Sequence, residues 1–308
     1  IQSRMGVYSA TPRDNVPEMM NYTSIALNIA KELKNTDLIY FSNEMQVQAL
    51  YRREISSEFR TALQKREFVV HYQPKVNLKT KQLCGSEALV RWIRHKTIVP
   101  PMDFLPILEQ EGSICQLDFY VFNEVCKDIR HWTETGIPPV RISVNFSKHH
   151  LKNPHFAEDI LSTIAQHKVD SKYIEIELTE VSDYDDYMTM QRFITIMRKN
   201  GITVSIDDFG TGYSTLNVLK NFDVDVIKLD KSLLDNIGKE NSMDEVVVKN
   251  VIHLANEMHK EVIAEGVENE VQAKFLAGVN CHNVQGYLFD KPLNRDEFQK
   301  RLTGEKEY

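Results

Sequence analysis

The stretch that decides the fold is residues 173–179, Tyr-Ile-Glu-Ile-Glu-Leu-Thr. Apolar and polar side chains alternate along it, and successive side chains of a β-strand point to opposite faces. The three aliphatic side chains therefore share one face, while Glu175 and Glu177 share the other. Because an aliphatic face packs against covering helices, the pattern predicts a strand whose acidic face points to the inside of the fold.

Seven further runs have strand composition, and helical stretches separate most of the runs. The eight runs are residues 68–72, 85–92, 140–146, 173–179, 203–207, 224–229, 261–264 and 283–288. Strands that alternate with helices in this number are typical of a closed barrel in the α/β class. The sequence therefore predicts a modified TIM (β/α)8 barrel, preceded by a short N-terminal α/β segment.

One connection departs from the barrel pattern. Only 11 residues separate Gln73 from Gly85, and residues 77–81 in their middle have turn composition. A parallel crossover needs a dozen or more residues and usually a helix, so this link is predicted to be a hairpin. One barrel strand should therefore run antiparallel to its neighbours.

The amino-terminal part of the chain has a different pattern. A strand–helix–strand order is predicted there, with the helix over residues 18–34, and a charged helix follows over residues 45–65. So few residues do not bury a core of their own. We therefore expect residues 1–53 to be the C-terminal remnant of a truncated domain with its connector, and residues 54–308 to form the barrel. The first residue is Ile1 rather than Met, which also favours a fragment of a longer protein.

Composition excludes several classes of protein. The 308 residues include 37 Lys and Arg against 44 Asp and Glu, a formal net charge of −7. Bulk charge of this sign does not attract nucleic acid polymers or anionic lipid. No apolar run approaches the roughly 18 residues that span a bilayer. We therefore expect a cytoplasmic location without membrane contact from this segment, although the parent protein could carry an anchor. The four cysteines have neither zinc nor redox spacing.

Polar residues stand at the carboxyl ends of the predicted strands, where barrel active sites lie. Eight of them are acidic, and two bases and two amides accompany them: Glu87, Glu177, Glu180, Asp207, Asp208, Asp230, Glu265 and Glu268, with Lys228, Arg91, Asn145 and Gln285. Taken singly, each is most simply a solvated loop residue. The convergence of so many on one mouth favours a functional site.

Acidic side chains at this density repel one another unless cations offset them. Oxygen ligands without Cys or His suit hard divalent ions such as Mg²⁺ or Mn²⁺. The adjacent Asp207 and Asp208 are suited to bridging two ions, an arrangement used for in-line displacement at phosphorus. The sequence therefore indicates two metal ions per site and a phosphodiester substrate that binds through them.

The motifs of this region resemble those of the EAL-domain phosphodiesterases, which hydrolyse the bacterial second messenger cyclic di-GMP. The motifs are YQP at residues 72–74, EALVRW at 87–92, SVN at 143–145, ELTE at 177–180, DDFGTGYS at 207–214, KLD at 228–230, AEGVE at 264–268 and QGY at 285–287. The resemblance covers residues 55–302. It implies a barrel whose first strand is antiparallel, and metal-dependent hydrolysis of cyclic di-GMP to linear pGpG in second-messenger signalling.

The resemblance also implies roles for single residues. The implied metal ligands are Glu87, Asn145, Glu177, Asp207 and Asp208. Lys228 matches the lysine that contacts the attacking water, and Glu265 is either a general base or a metal ligand. The positions that match substrate contacts are Gln73, Arg91, Asp230 and Gln285. Glu180 and Glu268 match residues that hold the loop beginning at Asp208.

Relatives that have lost catalysis typically lack one of these residues, and this chain retains them. An active cyclic-guanylate-specific phosphodiesterase is therefore favoured. The alternative is a catalytically weak EAL domain that acts as a cyclic di-GMP receptor or protein-interaction module. The resemblance implies a homodimer through the barrel. Ca²⁺ is expected to inhibit by occupying the site with looser geometry.

The amino-terminal segment has a looser resemblance of its own. Residues 25–31, Ile-Ala-Leu-Asn-Ile-Ala-Lys, approximate a motif near the end of GGDEF (diguanylate cyclase) domains, which commonly precede this module. An upstream GGDEF or sensor domain is therefore expected in the parent protein. The cyclase signature is absent from this sequence, so the chain itself is not expected to make the messenger.

Overall fold

The computed structural model describes residues 3–33, 37–179, 184–210, 220, 222–239, 242–305 and 308. The chain divides into two compact units. The first comprises Ile1–Lys65 and Met102–Leu108, and the second comprises Arg66–Pro101 and Glu109–Tyr308. The domain boundary predicted after residue 53 stays a prediction.

The first unit contains two parallel strands and two long helices. Strands β1 (Met5–Val7) and β2 (Leu38–Tyr40) flank helix α1 (Val16–Glu32) in the sequence, and helix α2 (Asn43–Gln64) follows. Helix α1 begins at Asn15, whose side chain accepts a hydrogen bond from the first turn within a capping box. The predicted strand–helix–strand order is thus confirmed. The origin of this segment in a GGDEF-like domain stays a prediction.

Eight strands form the barrel of the second unit. In chain order they are β3 (Phe68–Asn77), β4 (Gln82–Arg94), β6 (Ile142–Phe146), β7 (Ile174–Thr179), β8 (Thr203–Phe209), β9 (Val226–Leu229), β10 (Glu261–Ala264) and β11 (Asn283–Gln285). Each pairs with the next, and β3 pairs with both β4 and β11, which closes the sheet. A short strand β5 (Thr97–Val99) pairs with the end of β4. The predicted barrel of the α/β class is thus confirmed.

Strand β3 is antiparallel to both of its neighbours, whereas the other neighbouring barrel strands are parallel. The predicted hairpin joins it to β4. Its turn is held by Asn77, whose Oδ1 accepts hydrogen bonds from the backbone N–H groups of Lys79 and Thr80. Because the strand is reversed, its first residue, Phe68, lies opposite Trp92 near the carboxyl end of β4.

Seven helices occur in the described residues after β5. They are α3 (Pro101–Glu111), α4 (Ile114–Glu134), α5 (Phe156–His167), α6 (Tyr184–Lys199), α7 (Met243–Glu257), α8 (Glu270–Gly278) and α9 (Arg295–Leu302). Short 3-10 helices lie at Lys148–Lys152, Ser171–Tyr173 and Lys231–Leu234. Within the described part of the chain, no helix combines the length and the apolar character needed to cross a membrane.

Both faces of strand β7 are buried, but for different reasons. The aliphatic side chains of Ile174, Ile176 and Leu178 belong to the apolar core. Glu175 and Glu177 on the opposite face are 1% and 0% exposed. These two acids contact lysines from strands across the barrel, so the predicted inward direction of the acidic face is confirmed.

Several strand ends differ from the prediction, by up to three residues except at β3. Strand β3 continues five residues beyond Tyr72, because the charged Lys75 in its second half is buried inside the barrel rather than solvated. Strand β11 ends at Gln285, three residues early. At the next position, Gly286, a Cβ atom would lie 2.1 Å from the backbone oxygen of Val267, so the chain turns where two backbone segments meet.

Candidate active site

The ammonium group of Lys228 is the centre of the site. Lys228 lies on β9 and its side chain is fully buried. Four carboxylates, carried by four other strands or their ends, surround its Nζ atom: Glu265 Oε1 at 2.7 Å, Glu177 Oε2 at 2.9 Å, Asp207 Oδ1 at 3.2 Å and Glu87 Oε2 at 3.4 Å. The structure therefore brings together five of the residues that sequence reasoning placed at the mouth.

Burial and charge act differently on these acids. Burial raises the pKa of Glu87, Asp207 and Glu265 above the usual carboxyl range, and neighbouring acids add to this against the opposing effect of Lys228. Burial alone would also raise the pKa of Glu177, but Lys228 and Lys75 lower it to about 2. The cluster thus holds more acid than its lysines neutralise, and this surplus suits an added cation.

Amide side chains fix both oxygens of Glu87. Asn145 Nδ2 donates to Glu87 Oε1 at 2.8 Å, and Gln285 Nε2 donates to Glu87 Oε2 at 2.6 Å. The same amide of Gln285 donates to Gln73 Oε1 at 3.1 Å. Strand register explains this meeting, because Gln73 lies directly opposite Glu87, and Asn145 lies beside Glu177.

The adjacent acids Asp207 and Asp208 lie at an irregularity of strand β8. The pairing of β8 with β9 shifts between Ile206 and Phe209, and Asp208 has a left-handed φ of 54°. Asp is one of the few residues that tolerate this conformation. Its backbone N–H donates to Asp207 Oδ1 at 2.9 Å. The Asp207 carboxylate consequently faces Lys228, while the side chain of Asp208 is the more exposed of the two.

The donor atoms of the cluster fit a hard divalent cation. Carboxylate oxygens and one amide oxygen are the ligands that Mg²⁺ and Mn²⁺ prefer, and the surplus of buried acid favours such an ion. No three acidic, His or Cys side chains in the described ranges are arranged around an ion-sized space of their own. Their carboxylates converge instead on the ammonium of Lys228. The residues suited to hold an ion are Glu87, Asn145, Glu177, Asp207 and Asp208.

A cavity of about 250 Å³ adjoins the cluster. Glu87 and Glu265 form part of its wall, together with Gln73, Gln285, Asp230, Glu268, Lys231 and Tyr287. Lys231 is the basic residue among the described residues of this wall, and its side chain is exposed. The cavity thus combines an acidic inner wall with one cation and one aromatic ring.

A glycine allows Lys231 to approach the cavity. Gly266 has a φ of 64°, and a Cβ atom there would lie 2.4 Å from Lys231 Cβ. Asp230, the residue before Lys231, caps the 3-10 helix that starts at Lys231. Its Oδ1 accepts a hydrogen bond from the backbone N–H of Ser232 at 2.9 Å. Asp230 therefore both lines the cavity and fixes the start of this helix.

Arg91 lies beside the cavity rather than in its wall. It follows Leu89, which is part of the wall, on the same face of β4. The guanidinium of Arg91 donates to the backbone oxygen of Val90 at 2.8 Å. Burial lowers the pKa of Arg91, against the opposing influence of Tyr287 and Glu87. Three of the four predicted substrate-contacting residues thus reach the cavity in this conformation.

The residues predicted to hold the loop after Asp208 are only partly described. Glu180 and residues 211–219 lie outside the described residues. Glu268 is exposed and lines the cavity, and its backbone N–H donates to Gln272 Oε1 at 2.8 Å. The role of Glu180 and Glu268 in holding the loop stays a prediction.

Sequence reasoning missed two lysines of this region. Lys75 is fully buried below the cluster, and its Nζ atom lies 3.3 Å from Glu177 Oε1. The signal for it was its position two residues after Gln73, which places both side chains on one face of the strand. Lys231 directly follows the motif KLD. The sequence does not show where its side chain lies, which is seen only from its close approach to Gly266.

A comparison with known families identifies the barrel. The family model described as EAL domain matches residues 56–292. Among solved structures, the phosphodiesterase PaMucR in complex with c-di-GMP has a TM-score of 0.74 and 30% sequence identity, and the match covers 80% of this chain and 99% of that one.

Two curated relatives of Pseudomonas aeruginosa are similar over most of the chain. The cyclic di-GMP phosphodiesterase NbdA is 32% identical over 278 residues, which are 90% of this chain and 35% of NbdA. The bifunctional diguanylate cyclase/cyclic di-GMP phosphodiesterase MucR is 29% identical over 281 residues, 91% of this chain and 41% of MucR. The chain spans from about a third to about half of the length of the curated relatives it matches.

Proposed function

The chain belongs to the EAL domain family, and from this premise we propose that it hydrolyses cyclic di-GMP to linear pGpG in bacterial second-messenger signalling. The observation that carries the proposal is the convergence of four carboxylates on one buried lysine beside a cavity. Two relatives described as cyclic di-GMP phosphodiesterases support the choice of substrate. We also propose that this activity belongs to any longer protein that contains the chain.

We propose that the site uses Mg²⁺ or Mn²⁺, two ions per site, held by Glu87, Asn145, Glu177, Asp207 and Asp208. When bound, such ions supply Lewis acidity toward the phosphodiester and favour ionisation of water at neutral pH. The surplus of buried acid in the cluster supports this choice. The residues alone would bind an anionic substrate poorly, because their charge has the same sign as the phosphate.

Glu265 and Lys228 lie at the centre of the site and have different roles in this proposal. Burial and neighbouring acids raise the pKa of Glu265 well above the usual carboxyl range, and a carboxylate with a raised pKa is a stronger base. Glu265 accepts the proton of the attacking water in this proposal. Lys228 holds Glu265, Glu177 and Asp207 at fixed distances, and in this proposal its ammonium contacts the attacking water.

The cavity wall binds the nucleotide. Gln73 and Gln285 offer amide groups, and Asp230 accepts hydrogen bonds from a base or ribose. Arg91 lies beside this wall, and its planar guanidinium has parallel N–H donors, a shape that fits two oxygens of one phosphate. Lys231 adds a second positive charge at the rim, where it attracts the anionic ligand before the ligand reaches the acidic inner wall.

The test is turnover by the purified protein. Cyclic di-GMP is incubated with the protein and MgCl₂ or MnCl₂, and the products are separated by chromatography. We expect linear pGpG to accumulate. Glu87→Ala removes a side chain that contacts Asn145, Gln285 and Lys228, and it should abolish turnover. The matched control is Glu270→Ala, which changes an exposed glutamate on helix α8.

Two outcomes would decide against the proposal. Undiminished activity of Glu87→Ala would exclude the metal assignment. Binding of cyclic di-GMP without turnover in either metal would favour the receptor function. The homodimer through the barrel and the upstream GGDEF or sensor domain remain proposals for the parent protein.

A further inference from the structure

A second buried lysine lies below the centre of the site. Lys75 lies on the antiparallel strand β3 and is 2% exposed. Its Nζ atom contacts Ser143 Oγ at 2.8 Å, Glu175 Oε1 at 3.1 Å and Glu177 Oε1 at 3.3 Å. An ammonium group has three N–H donors, so these three acceptors satisfy it.

Glu177 is held by a different lysine at each oxygen. Lys75 contacts Oε1 from below, while Lys228 contacts Oε2 at 2.9 Å from the side of the cluster. A carboxylate with one partner rotates about its terminal bond, whereas a carboxylate with both oxygens bound has a fixed plane. Glu177 is 0% exposed, so water does not compete for these contacts.

The space for Lys75 depends on a neighbouring glycine. In the antiparallel pairing, Lys75 lies opposite Gly85 of strand β4. A Cβ atom at Gly85 would lie 3.4 Å from Lys75 Cδ and 3.1 Å from the backbone oxygen of Arg141. The missing side chain thus leaves the barrel interior open to the lysine.

The contacts of Lys75 continue to the far end of the barrel. Glu175 Oε2 accepts from Arg141 Nε at 2.8 Å, and a terminal nitrogen of Arg141 lies 2.6 Å from Glu261 Oε2. Alternating charges therefore run along the barrel interior from Glu261 to Glu177. Burying a charge costs free energy that only well-placed partners offset, and here each buried charge has a partner on both sides.

We propose that Lys75 is a positioning residue that fixes the plane of the Glu177 carboxylate for metal binding. The inference rests on the proposed function, because it assigns Glu177 as a ligand. Groups that hold a ligating carboxylate from behind typically contribute 10- to 100-fold to metal affinity or activity. Lys75 acts through Glu177 and does not touch the cavity.

The alternative is that Lys75 only stabilises the fold. The variant Lys75→Met does not separate the two roles, because it leaves Glu175 and Glu177 with an unbalanced buried charge. The double variant Lys75→Met/Glu175→Gln removes one positive and one negative charge together. In the double variant, Glu177 still contacts Lys228 and Arg141 still contacts Glu261. Glu177 Oε1, however, no longer contacts a lysine. The single variant Glu175→Gln is the control, because it keeps the contact between Lys75 and Glu177.

The readouts are the melting temperature and the dissociation constant for Mn²⁺, measured calorimetrically with MnCl₂ alone on the 308-residue chain. We expect the double variant to melt close to the wild type and to bind Mn²⁺ about 10- to 100-fold more weakly. Glu175→Gln should bind Mn²⁺ like the wild type. A folded double variant with wild-type affinity for Mn²⁺ would overturn the role of Lys75.

Failure of the role of Lys75 and failure of the proposed function give different results. A wild-type protein that binds no Mn²⁺ would overturn both. A wild-type protein that binds Mn²⁺ without hydrolysing cyclic di-GMP would reject the enzymatic function, and the difference in affinity between the variants would still decide the role of Lys75.

Discussion

A single buried residue, Lys228, sets the electrostatics of the site. Four carboxylates share its ammonium, so one positive charge is divided among several negative ones. The acids other than Glu177 therefore hold protons more tightly in the folded chain than in the unfolded chain. The folded state then binds more protons, and this part of the stability is lost as the pH rises through the raised pKa values.

The variant Glu265→Gln tests whether ionisation of Glu265 lowers the stability of the fold as the pH rises. Glutamine resembles the protonated carboxyl, so the variant should lack the loss of stability that ionisation of Glu265 causes. In the presence of a chelator, we expect the melting temperature of the variant minus that of the wild type to increase as the pH rises above the ordinary carboxyl pKa of about 4.3. Differential scanning fluorimetry measures it, with the exposed Glu270→Gln as control. A difference in melting temperature that stays constant with pH would contradict the raised pKa of Glu265.

Lys231→Ala tests the cation at the cavity. The side chain is exposed, and exposed ionic contacts contribute at most about 1 kcal/mol, or roughly a fivefold change in KM. We expect KM for cyclic di-GMP to rise by that factor at low salt and kcat to stay unchanged. The effect should shrink as salt is added, because salt screens exposed charges. Steady-state kinetics would show it, and Lys274→Ala, an exposed lysine on α8, should have no effect.

The residues of the site were more predictable than their arrangement. Alternation along the strands placed Glu177, Asn145 and Asp207 on inward faces, and strand order placed them at one mouth. The sequence did not indicate that their carboxylates meet at Lys228, because that depends on how far the lysine side chain extends across the barrel. Lys75 was missed because a charged residue within a strand is ordinarily solvated.

At the scale of the element, the end of β11 is set by backbone contact rather than by side-chain pattern. Residues 283–288 were predicted to form one strand, yet the strand stops before Gly286. The backbone N–H of Val267 donates to the oxygen of Gln285 at 3.0 Å, and that of Leu288 donates to the oxygen of Val267 at 3.0 Å. This crossing holds Gln285 where its amide reaches Glu87.

Gly286→Ala tests the crossing. A Cβ atom there would lie within 2.3 Å of two backbone atoms of Val267, and overpacking of this kind typically costs about 1–3 kcal/mol. We expect unfolding at lower urea concentration and weaker turnover, because Gln285 moves away from Glu87. Gly278→Ala is the matched control, since a Cβ atom there meets nothing within 4 Å. Equal stability of the two variants would refute the close contact.

Hydrophobic periodicity predicted the other elements to within a few residues. The helix predicted over residues 18–34 is α1 (Val16–Glu32), and the hairpin between β3 and β4 follows from the short connection and its turn composition. The short strand β5 (Thr97–Val99) was not predicted, because three residues are too few to show alternation. The errors therefore fall where long-range contacts, rather than local pattern, decide the structure.

At the scale of the whole molecule, the net charge of −7 understates how unevenly charge is distributed. Several acidic side chains lie together in the barrel interior. The positive charges of the lysines and of Arg141 neutralise their negative charge only in part. The folded chain therefore stores repulsion that a divalent ion would relieve, and metal binding should stabilise the whole barrel by mass action.

Metal removal and exchange test this coupling. We expect EDTA to abolish turnover and lower the melting temperature, and added Mn²⁺ to raise the melting temperature in proportion to the logarithm of its concentration. Ca²⁺ should also raise it while suppressing turnover, because its coordination is larger and less regular. Thermal melts and product assays on the same samples compare the two ions. A melting temperature that no divalent ion changes would exclude a metal site in the barrel.

The reversed strand β3 also determines at which end of the barrel its first strand begins. Phe68 lies opposite Trp92 on the mouth side, and Gln73, five residues later, already lines the cavity. In a barrel of parallel strands alone, the first strand would begin at the far end. The reversed strand begins at the mouth instead, so the end of β3 that carries Phe68 shares one edge of the barrel with the carboxyl ends of the parallel strands. The backbone of β3 therefore runs from the mouth inward, and a single strand supplies both Gln73 at the cavity and Lys75 below it.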